Sequence, residues 1–219
     1  MNDSPERYWS RYAETYEKKL AYVVGEGTVR MMADVLLAQG ALGDVLEMGC
    51  GPGRFSALLA RNSTGLTCTD LSDEMLAEAR RYLADLPNVT VQKSDCTDCG
   101  FDSESFDTVV MMNLTHVVQH PSQALVEGYR LLRPGGRLLV VDMTGFRMRT
   151  IDRIKLAARY LGAWGFPPRH GEGTLSPARL AGMVEEAGFT IERNDLCGES
   201  VKFIFVNAVR RASQDSGTQ

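Results

Sequence analysis

Residues 45–53 read VLEMGCGPG, an apolar run that meets an acid and then places three glycines within five positions. Glycine loses more conformational freedom on folding than any other residue, so it is expected where the backbone must turn sharply or approach a ligand closely. The stretch therefore predicts a strand ending near Glu47, followed by a loop in which Gly49, Gly51 and Gly53 cradle a ligand.

Strands and helices alternate on both sides of this loop. Apolar runs typical of strands lie at 44–48, 65–70, 88–95, 106–113, 137–143, 190–196 and 201–210. Helical patterns lie between them: 29–37, a helix after the glycine loop, Ser72 to about Leu86, a segment ending at the break 133–136, 151–161, and Ser176 to Gly188. Uniformly apolar strands separated by helices predict a doubly wound α/β domain with a mainly parallel sheet.

Polar side chains are expected at one edge of this sheet. In doubly wound sheets, ligands bind at the carboxyl ends of the strands, near the switch in strand order. Five polar residues fall at or near predicted strand ends: Glu47, Asp70, Asp95, Asn113 and Asp142. We expect all five to face one crevice.

Composition limits the class of protein. The 219 residues are 44% hydrophobic, enough for one core, and 24 basic against 28 acidic residues leave no positive field for nucleic acid. The first ten residues lack the apolar run of a secretory signal, and no stretch reaches the length of a membrane span. Five scattered cysteines do not suggest a disulfide framework. We expect a cytoplasmic location, and small half-buried roles for Cys96 and Cys99 rather than zinc or redox chemistry.

Three kinds of nucleotide-binding loop could explain the glycines. A Walker loop needs GxxxxGK followed by Ser or Thr, and the chain has no such run. The dinucleotide motif GxGxxG needs its third glycine one residue later than Gly53, where this chain has Arg54. The remaining pattern is ExGxGxG, beginning at Glu47, with a second acid at the end of the next strand.

This pattern, with Asp70, resembles the cofactor site of class I S-adenosylmethionine-dependent methyltransferases. The resemblance extends over roughly residues 8–145 and includes Asp95-Cys96, Phe106-Asp107, Asn113-Leu114-Thr115-His116 and LLRPGGRLLVVD at 131–142. It is nearest to the small-molecule branch similar to ubiquinone- and menaquinone-biosynthesis methyltransferases. It implies a Rossmann-like sheet of about seven strands, mostly parallel with an antiparallel last strand.

The resemblance also implies S-adenosylmethionine as the cofactor and assigns residues to it. Asp70 would accept hydrogen bonds from both ribose hydroxyls, as a carboxylate can, and Asp95 with Cys96 would contact the adenine. Glu47 would lie near the ammonium group. The other predicted cofactor contacts are Tyr16, Gly49, Cys50, Gly51, Gly53, Leu71, Met75 and Asn113, and no metal site is expected.

We interpret residues 1–212 as a single domain, with an N-terminal helical lid at 1–40, a substrate-cap insertion at 146–174 and a disordered tail at 213–219. The aromatic-rich segment 7–20 would close over the cofactor through Tyr16, with Tyr8 and Trp9 behind it. Helix packing by the same aromatic residues is an equal alternative.

The residues that follow the fourth and fifth predicted strands are the candidates for contact with the methyl acceptor. His116 is the candidate general base, although a structural or surface histidine is the commoner outcome; His120 and Asp142 are also placed near the acceptor, and His170 is the third histidine. Residues 147–161 carry five basic residues and one acid, and Ile151, Ile154, Ala158 and Leu161 share one helical side. The basic residues are typical of a helix face exposed to solvent. The alternatives are that they bind an acidic or amphipathic acceptor or a membrane surface.

The sequence thus predicts methyl transfer from S-adenosylmethionine to an O, N, S or C atom of a small molecule. Two alternatives stay open: a lipid or macromolecular acceptor, and a cofactor-binding protein that does not methylate. We expect a small-molecule substrate and no nucleic-acid partner; membrane contact is the less favoured expectation, and nothing indicates the oligomeric state.

Overall fold

The computed structural model describes residues 4–166 and 175–211. Its helices are α1 (Pro5–Ser10), α2 (Tyr16–Val24), α3 (Glu26–Leu37), α4 (Ser56–Leu59), α5 (Asp73–Tyr82), α6 (Pro121–Leu131), α7 (Thr150–Trp164) and α8 (Pro177–Glu186). Its strands are β1 (Gly43–Met48), β2 (Ser63–Asp70), β3 (Val89–Lys93), β4 (Phe106–Met112), β5 (Leu132–Thr144), β6 (Thr190–Cys197) and β7 (Lys202–Val209). The predicted tail, the end of the predicted cap and His170 lie outside the described residues.

The strands form one seven-stranded sheet in the order β3-β2-β1-β4-β5-β7-β6. β1 to β5 pair in parallel, and β7 is antiparallel to both β5 and β6. The strand order reverses between β1 and β4, which is where a doubly wound sheet opens its ligand crevice. The predicted fold class, including the antiparallel last strand, is confirmed.

Apolar residues bury both faces of the sheet. On one face, α3 contributes the buried residues Val29, Met32 and Leu36, as their helical spacing predicted, and packs with α2, α4 and α5. On the other face, α6 and α8 contribute Ala124, Leu125, Leu180 and Val184. The central strands are therefore covered on both sides, which explains their uniformly apolar sequences.

Two predicted boundaries are wrong. The helix expected to reach Leu86 ends at Tyr82, because Pro87 disfavours helical backbone at the preceding residue and the chain turns before it. The break expected at 133–136 falls inside β5, which begins at Leu132. The pairing of β5 with β4 shifts register there: Phe106 pairs with Leu132 and Thr108 with Arg137. Gly135 N–H and Gly136 C=O bond to Arg210 instead, so the turn-like residues form a bulge on a continuous strand.

Two helical segments matter for the strand-end crevice. α3, which the expected lid at 1–40 included, belongs to the sheet core; the described residues of 1–40 that line the crevice lie in α1, in α2 or just before α1. In α7, the stripe of Ile151, Ile154 and Leu161 is exposed, while Leu156, Tyr160, Ala163 and Trp164 face the core. Among the described residues, no helix is both long and apolar enough to cross a bilayer.

Candidate functional site

A cavity of about 360 Å³ opens at the carboxyl ends of β1, β2 and β4. One half is lined by the glycine loop and the residues after β2 and β3; the other half is lined by the residues after β4 and by aromatic side chains from the N-terminal segment and α7. The principal lining residues are Trp9, Tyr16, Gly49, Gly51, Asp70, Leu71, Met75, Asp95, Cys96, Asn113, Leu114, His116, Val117, Val118, His120, Met143, Tyr160 and Trp164.

The glycine loop presents bare backbone to this cavity. Gly49 has φ of 72°, and a Cβ there would lie 2.6 Å from Leu114 Cδ1, so only glycine fits without displacing that side chain. Gly51 has φ of 54°, and a Cβ there would point into open space on the cavity side. The loop therefore allows a ligand to approach the main chain directly, as its sequence predicted.

Asp70 ends β2 and fixes the loop in place. Its Oδ2 accepts a hydrogen bond from Gly51 N–H at 2.9 Å, and its Oδ1 accepts one from Ser72 N–H at 3.0 Å. Burial raises the pKa of this carboxyl, while the backbone donors, including Leu71 N–H, lower it. A carboxylate has room for about four hydrogen bonds, so Asp70 retains acceptor capacity on its cavity side.

Asp95 and Cys96 line the end of the cavity beyond Asp70. Asp95 is exposed, and its Oδ1 accepts hydrogen bonds from Thr97 N–H and Thr97 Oγ1, each at 2.8 Å. Burial raises the pKa of Cys96 to about 12 and that of Cys99 to about 11, so both remain thiols at neutral pH. Leu71, Met75 and Asn113, which are among the predicted cofactor contacts, also line the cavity.

Three predicted cofactor residues are not part of the cavity wall: Glu47, Cys50 and Gly53. Glu47 is 1% exposed and accepts a hydrogen bond from Ser56 Oγ at 2.5 Å, while its Oε1 has no partner. Burial raises its pKa to about 7. Glu47 therefore supports the loop through Ser56, and its predicted role near the cofactor's ammonium group, directly or through water, stays a prediction.

His116 is paired with a buried acid. Its Nδ1 lies in close hydrogen-bonding contact with Asp142 Oδ1, and the other Asp142 oxygen accepts from Thr115 Oγ1 and, at 3.2 Å, from His116 N–H. Burial by itself would lower the pKa of His116, but the charge and hydrogen bond of Asp142 outweigh it and raise that pKa. Asp142, which was placed near the acceptor, is fully buried within β5 and meets the cavity through His116.

The N-terminal segment closes one side of the cavity and packs on α7. Tyr8 and Tyr12 both donate their hydroxyl hydrogen to the Trp164 carbonyl, at 3.0 and 2.6 Å. Trp9 meets the Trp164 ring edge-on with centroids 5.5 Å apart, and Tyr16 stacks on it at 5.9 Å. Trp9 and Tyr16 therefore pack in an aromatic cluster and also line the cavity, and their closure over a cofactor stays a prediction.

We expect S-adenosylmethionine or S-adenosylhomocysteine to quench the intrinsic fluorescence of the protein. The chain has two tryptophans, and both line the cavity, so a bound nucleoside changes the environment of each. Titration of the wild type, Trp9→Phe and Trp164→Phe should show a reduced but saturable change in each single variant. A wild-type signal that does not respond, at concentrations where calorimetry detects binding, would place the ligand elsewhere.

Several cavity residues were not singled out from sequence: Leu114, Val117, Val118 and Met143. Single apolar residues give no signal for a binding wall. Tyr160 and Trp164, which also line the cavity, lie in the predicted substrate cap. Among the described residues, no lysine or arginine lines the cavity, and no group of three metal-ligating side chains forms a cluster. The basic residues of 147–161 are therefore not part of the cavity wall.

Comparison with known proteins agrees with this site. The model of the methyltransferase domain family matches residues 46–140. The chain is 37% identical over 101 residues to demethylmenaquinone methyltransferase from Clavibacter sepedonicus, covering 46% of this chain and 41% of that protein. It is 34% identical over 137 residues to phosphatidylethanolamine N-methyltransferase from Cereibacter sphaeroides, covering 61% and 64%.

These alignments span less than two thirds of the length of either relative. A crystal structure of an S-adenosylmethionine-dependent methyltransferase from Aquifex aeolicus has the same fold, with a TM-score of 0.64 and 21% identity over 81% of this chain and 89% of that one. The sheet order, the glycine loop and the acid at the end of β2 are consistent with the match to the methyltransferase domain family. Residues 46–140 match the methyltransferase domain family, and the chain is similar to class I S-adenosylmethionine-dependent methyltransferases.

Proposed function

We propose that this protein transfers a methyl group from S-adenosylmethionine to a small, largely apolar acceptor whose nucleophilic atom carries a proton. The observation that carries the proposal is that one cavity joins two chemically different halves. Asp70 and the glycine loop form the half suited to a nucleoside, and His116, backed by Asp142, lies in the other half.

The residues of the first half fit the cofactor. Asp70 has spare acceptor capacity for the ribose hydroxyls, and Gly51 leaves room for the methionine portion against the main chain. The buried Asn113 Oδ1 has no hydrogen-bond partner although Asn113 lines the cavity. A buried polar atom without a partner is costly, so a donor from a bound molecule would stabilise it. Asp95 and Cys96 would border the adenine.

When bound, S-adenosylmethionine supplies an electrophilic methyl group that a nucleophile displaces in line, leaving S-adenosylhomocysteine. The protein's own contribution is alignment of the acceptor and removal of its proton. With Nδ1 held as a donor to the Asp142 carboxylate, His116 keeps Nε2 free to accept the proton of an acceptor hydroxyl or amine. As the acceptor loses that proton, Asp142 stabilises the imidazolium that forms.

The walls of the second half favour an acceptor with an apolar or aromatic body. They are formed by Leu20, Val117, Val118, Met143, Tyr160 and Trp164. Since no lysine or arginine among the described residues lines the cavity, a carboxylate or phosphate on the acceptor would lack a cation there. The name of the first relative refers to demethylmenaquinone, which is consistent with an acceptor that has a large apolar part. Phosphatidylethanolamine, in the name of the second, shares the large apolar part but carries a phosphate that this cavity wall would not pair.

Two experiments test the function. Calorimetry should show saturable binding of S-adenosylmethionine and no binding of NADH, which would separate the two nucleotide interpretations. A metabolite-extract screen that follows S-adenosylhomocysteine release should then identify the acceptor, with heat-inactivated protein as its control. Cofactor binding without release in any fraction would favour a binding protein that does not methylate.

A further inference from the structure

The outer face of α7 and the residues just after it expose several large apolar side chains. Ile151, Ile154 and Leu161 are 46%, 59% and 42% exposed, and Phe166, two residues after the helix, is 85% exposed. The aliphatic residues recur at helical spacing, so they form one continuous stripe. Apolar stripes of this kind on a protein surface mark interaction sites more often than scattered single residues do.

Basic side chains surround this stripe. Arg147, Arg149, Arg153 and Lys155 are all exposed, and the one acid of the helix, Asp152, is largely shielded, with its carboxylate 4.0 Å from Arg149. Within the part of the chain that the structure describes, Arg147, Arg153 and Lys155 make no ion pair. This local excess of positive charge stands out on a chain whose net charge is -4.

We propose that this face of α7, defined by Ile151, Ile154, Leu161 and Phe166 with the basic residues around them, docks on an anionic lipid bilayer. A helix that lies in a membrane interface places apolar residues among the acyl chains and basic residues at the lipid headgroups, which is the pattern seen here. Nucleic acid would match the charge but leave the isoleucines exposed. A purely apolar protein partner would leave the arginines unpaired.

The opposite face of the same helix supports a functional link. Tyr160 and Trp164 lie on that face and form part of the cavity wall. A helix with its side chains is only about 10 Å across, so docking places the acceptor half of the cavity one helix diameter from the lipid. An acceptor with a large apolar body dissolves in a bilayer, and this arrangement would bring the cavity close to its source. That link rests on the proposed function, whereas the docking itself does not.

Vesicle co-sedimentation tests the proposal without any acceptor. The full chain should sediment with vesicles of phosphatidylcholine and phosphatidylglycerol at low salt, and much less with phosphatidylcholine alone. Raising the salt concentration should release it, because exposed charges are screened. The double variant Arg149→Gln/Arg153→Gln should bind anionic vesicles about 30-fold more weakly, given roughly fivefold for each basic residue near the surface.

The apolar stripe needs its own variants and controls. Ile151→Gln/Ile154→Gln should weaken vesicle binding by about tenfold or more, since it removes the inserted side chains. Val126→Gln, at an exposed apolar position on α6, and Arg30→Gln/Arg61→Gln, at exposed basic positions elsewhere, should bind as the wild type does. All substituted side chains are exposed or outward-facing, so equal melting temperatures are expected and should be checked first.

Three outcomes would overturn the proposal. The wild type could fail to sediment with anionic vesicles at low salt, or the α7 variants could bind as tightly as the controls do. The third is self-association: a wild-type dimer without lipid that Ile151→Gln/Ile154→Gln dissociates would assign this face to a second copy of the chain. Each outcome leaves the calorimetric test of the proposed function unaffected, so the two ideas can fail separately.

Discussion

Asp70→Ala is expected to weaken the binding of S-adenosylmethionine by about 100-fold or more. Two charge-assisted hydrogen bonds to ribose hydroxyls would be lost, each worth roughly 1.5–3 kcal/mol. The change would also remove the acceptor that holds Gly51 N–H at 2.9 Å, so the glycine loop loses its link to β2. Isothermal titration calorimetry with S-adenosylmethionine and S-adenosylhomocysteine measures the effect directly.

Asp73→Ala is the matched control, because Asp73 lies three residues further along and outside the cavity wall. Its side chain is 72% exposed and pairs with Lys93, so its loss should change cofactor affinity by less than about twofold. Circular dichroism of both variants establishes that they fold. Equal affinity of Asp70→Ala and the wild type would contradict the assignment of the ribose site and the proposal built on it.

His116→Ala is expected to lower turnover by about 100-fold or more while leaving cofactor affinity within about twofold of the wild type. General-base catalysis by a placed side chain contributes typically 10²–10⁴-fold, and His116 lies in the half of the cavity assigned to the acceptor. The measurement is S-adenosylhomocysteine release with the acceptor that the extract screen identifies. His120→Ala serves as a matched control from the same loop, with a smaller expected loss.

Asp142→Asn tests whether the buried acid orients and tunes the histidine. The carboxylate raises the pKa of His116, and a base is active only when deprotonated, so wild-type turnover should rise as pH passes through a value above the ordinary 6.5 or so for histidine. In Asp142→Asn that rise should move to lower pH, and the plateau rate should fall because the ring is less well oriented. NMR titration of His116 gives the same shift without an acceptor. A rate that is independent of pH, or unchanged in His116→Ala, removes His116 as the base.

Local sequence was sufficient for the cofactor half of the site. A glycine loop and a strand-end acid act through nearby backbone, so Gly49, Gly51 and Asp70 could be placed from their spacing alone. The same motif contains Glu47, Cys50 and Gly53, which do not line the cavity. A motif does not reveal which of its residues face away from the cavity. Only the packing of β1 against α4 shows that Glu47 turns toward Ser56.

The acceptor half could be predicted only in part. His116 and Asp142 are 26 residues apart and meet because β4 and β5 are neighbours in the sheet, a pairing that the sequence does not state. The orientation of α7 could not be predicted for a related reason. Ile151, Ile154 and Leu161 share one helical side, but the structure turns the side with Trp164 inward, where Trp164 packs with Trp9 and Tyr16.

The hydrogen bonds between the N-terminal segment and α7 have a consequence for the catalytic cycle. Tyr8, Tyr12 and Lys19 all donate to carbonyls of the last turn of α7, so these two walls are expected to move as a single body. The N-terminal segment also contacts the other side of the cavity, through a hydrogen bond between the hydroxyls of Ser10 and Ser72 and an ion pair of Glu17 with Arg54, which follows the glycine loop. Opening of the cavity between these walls would have to break these polar contacts, so if spent cofactor leaves by this route, the opening would contribute to the turnover rate.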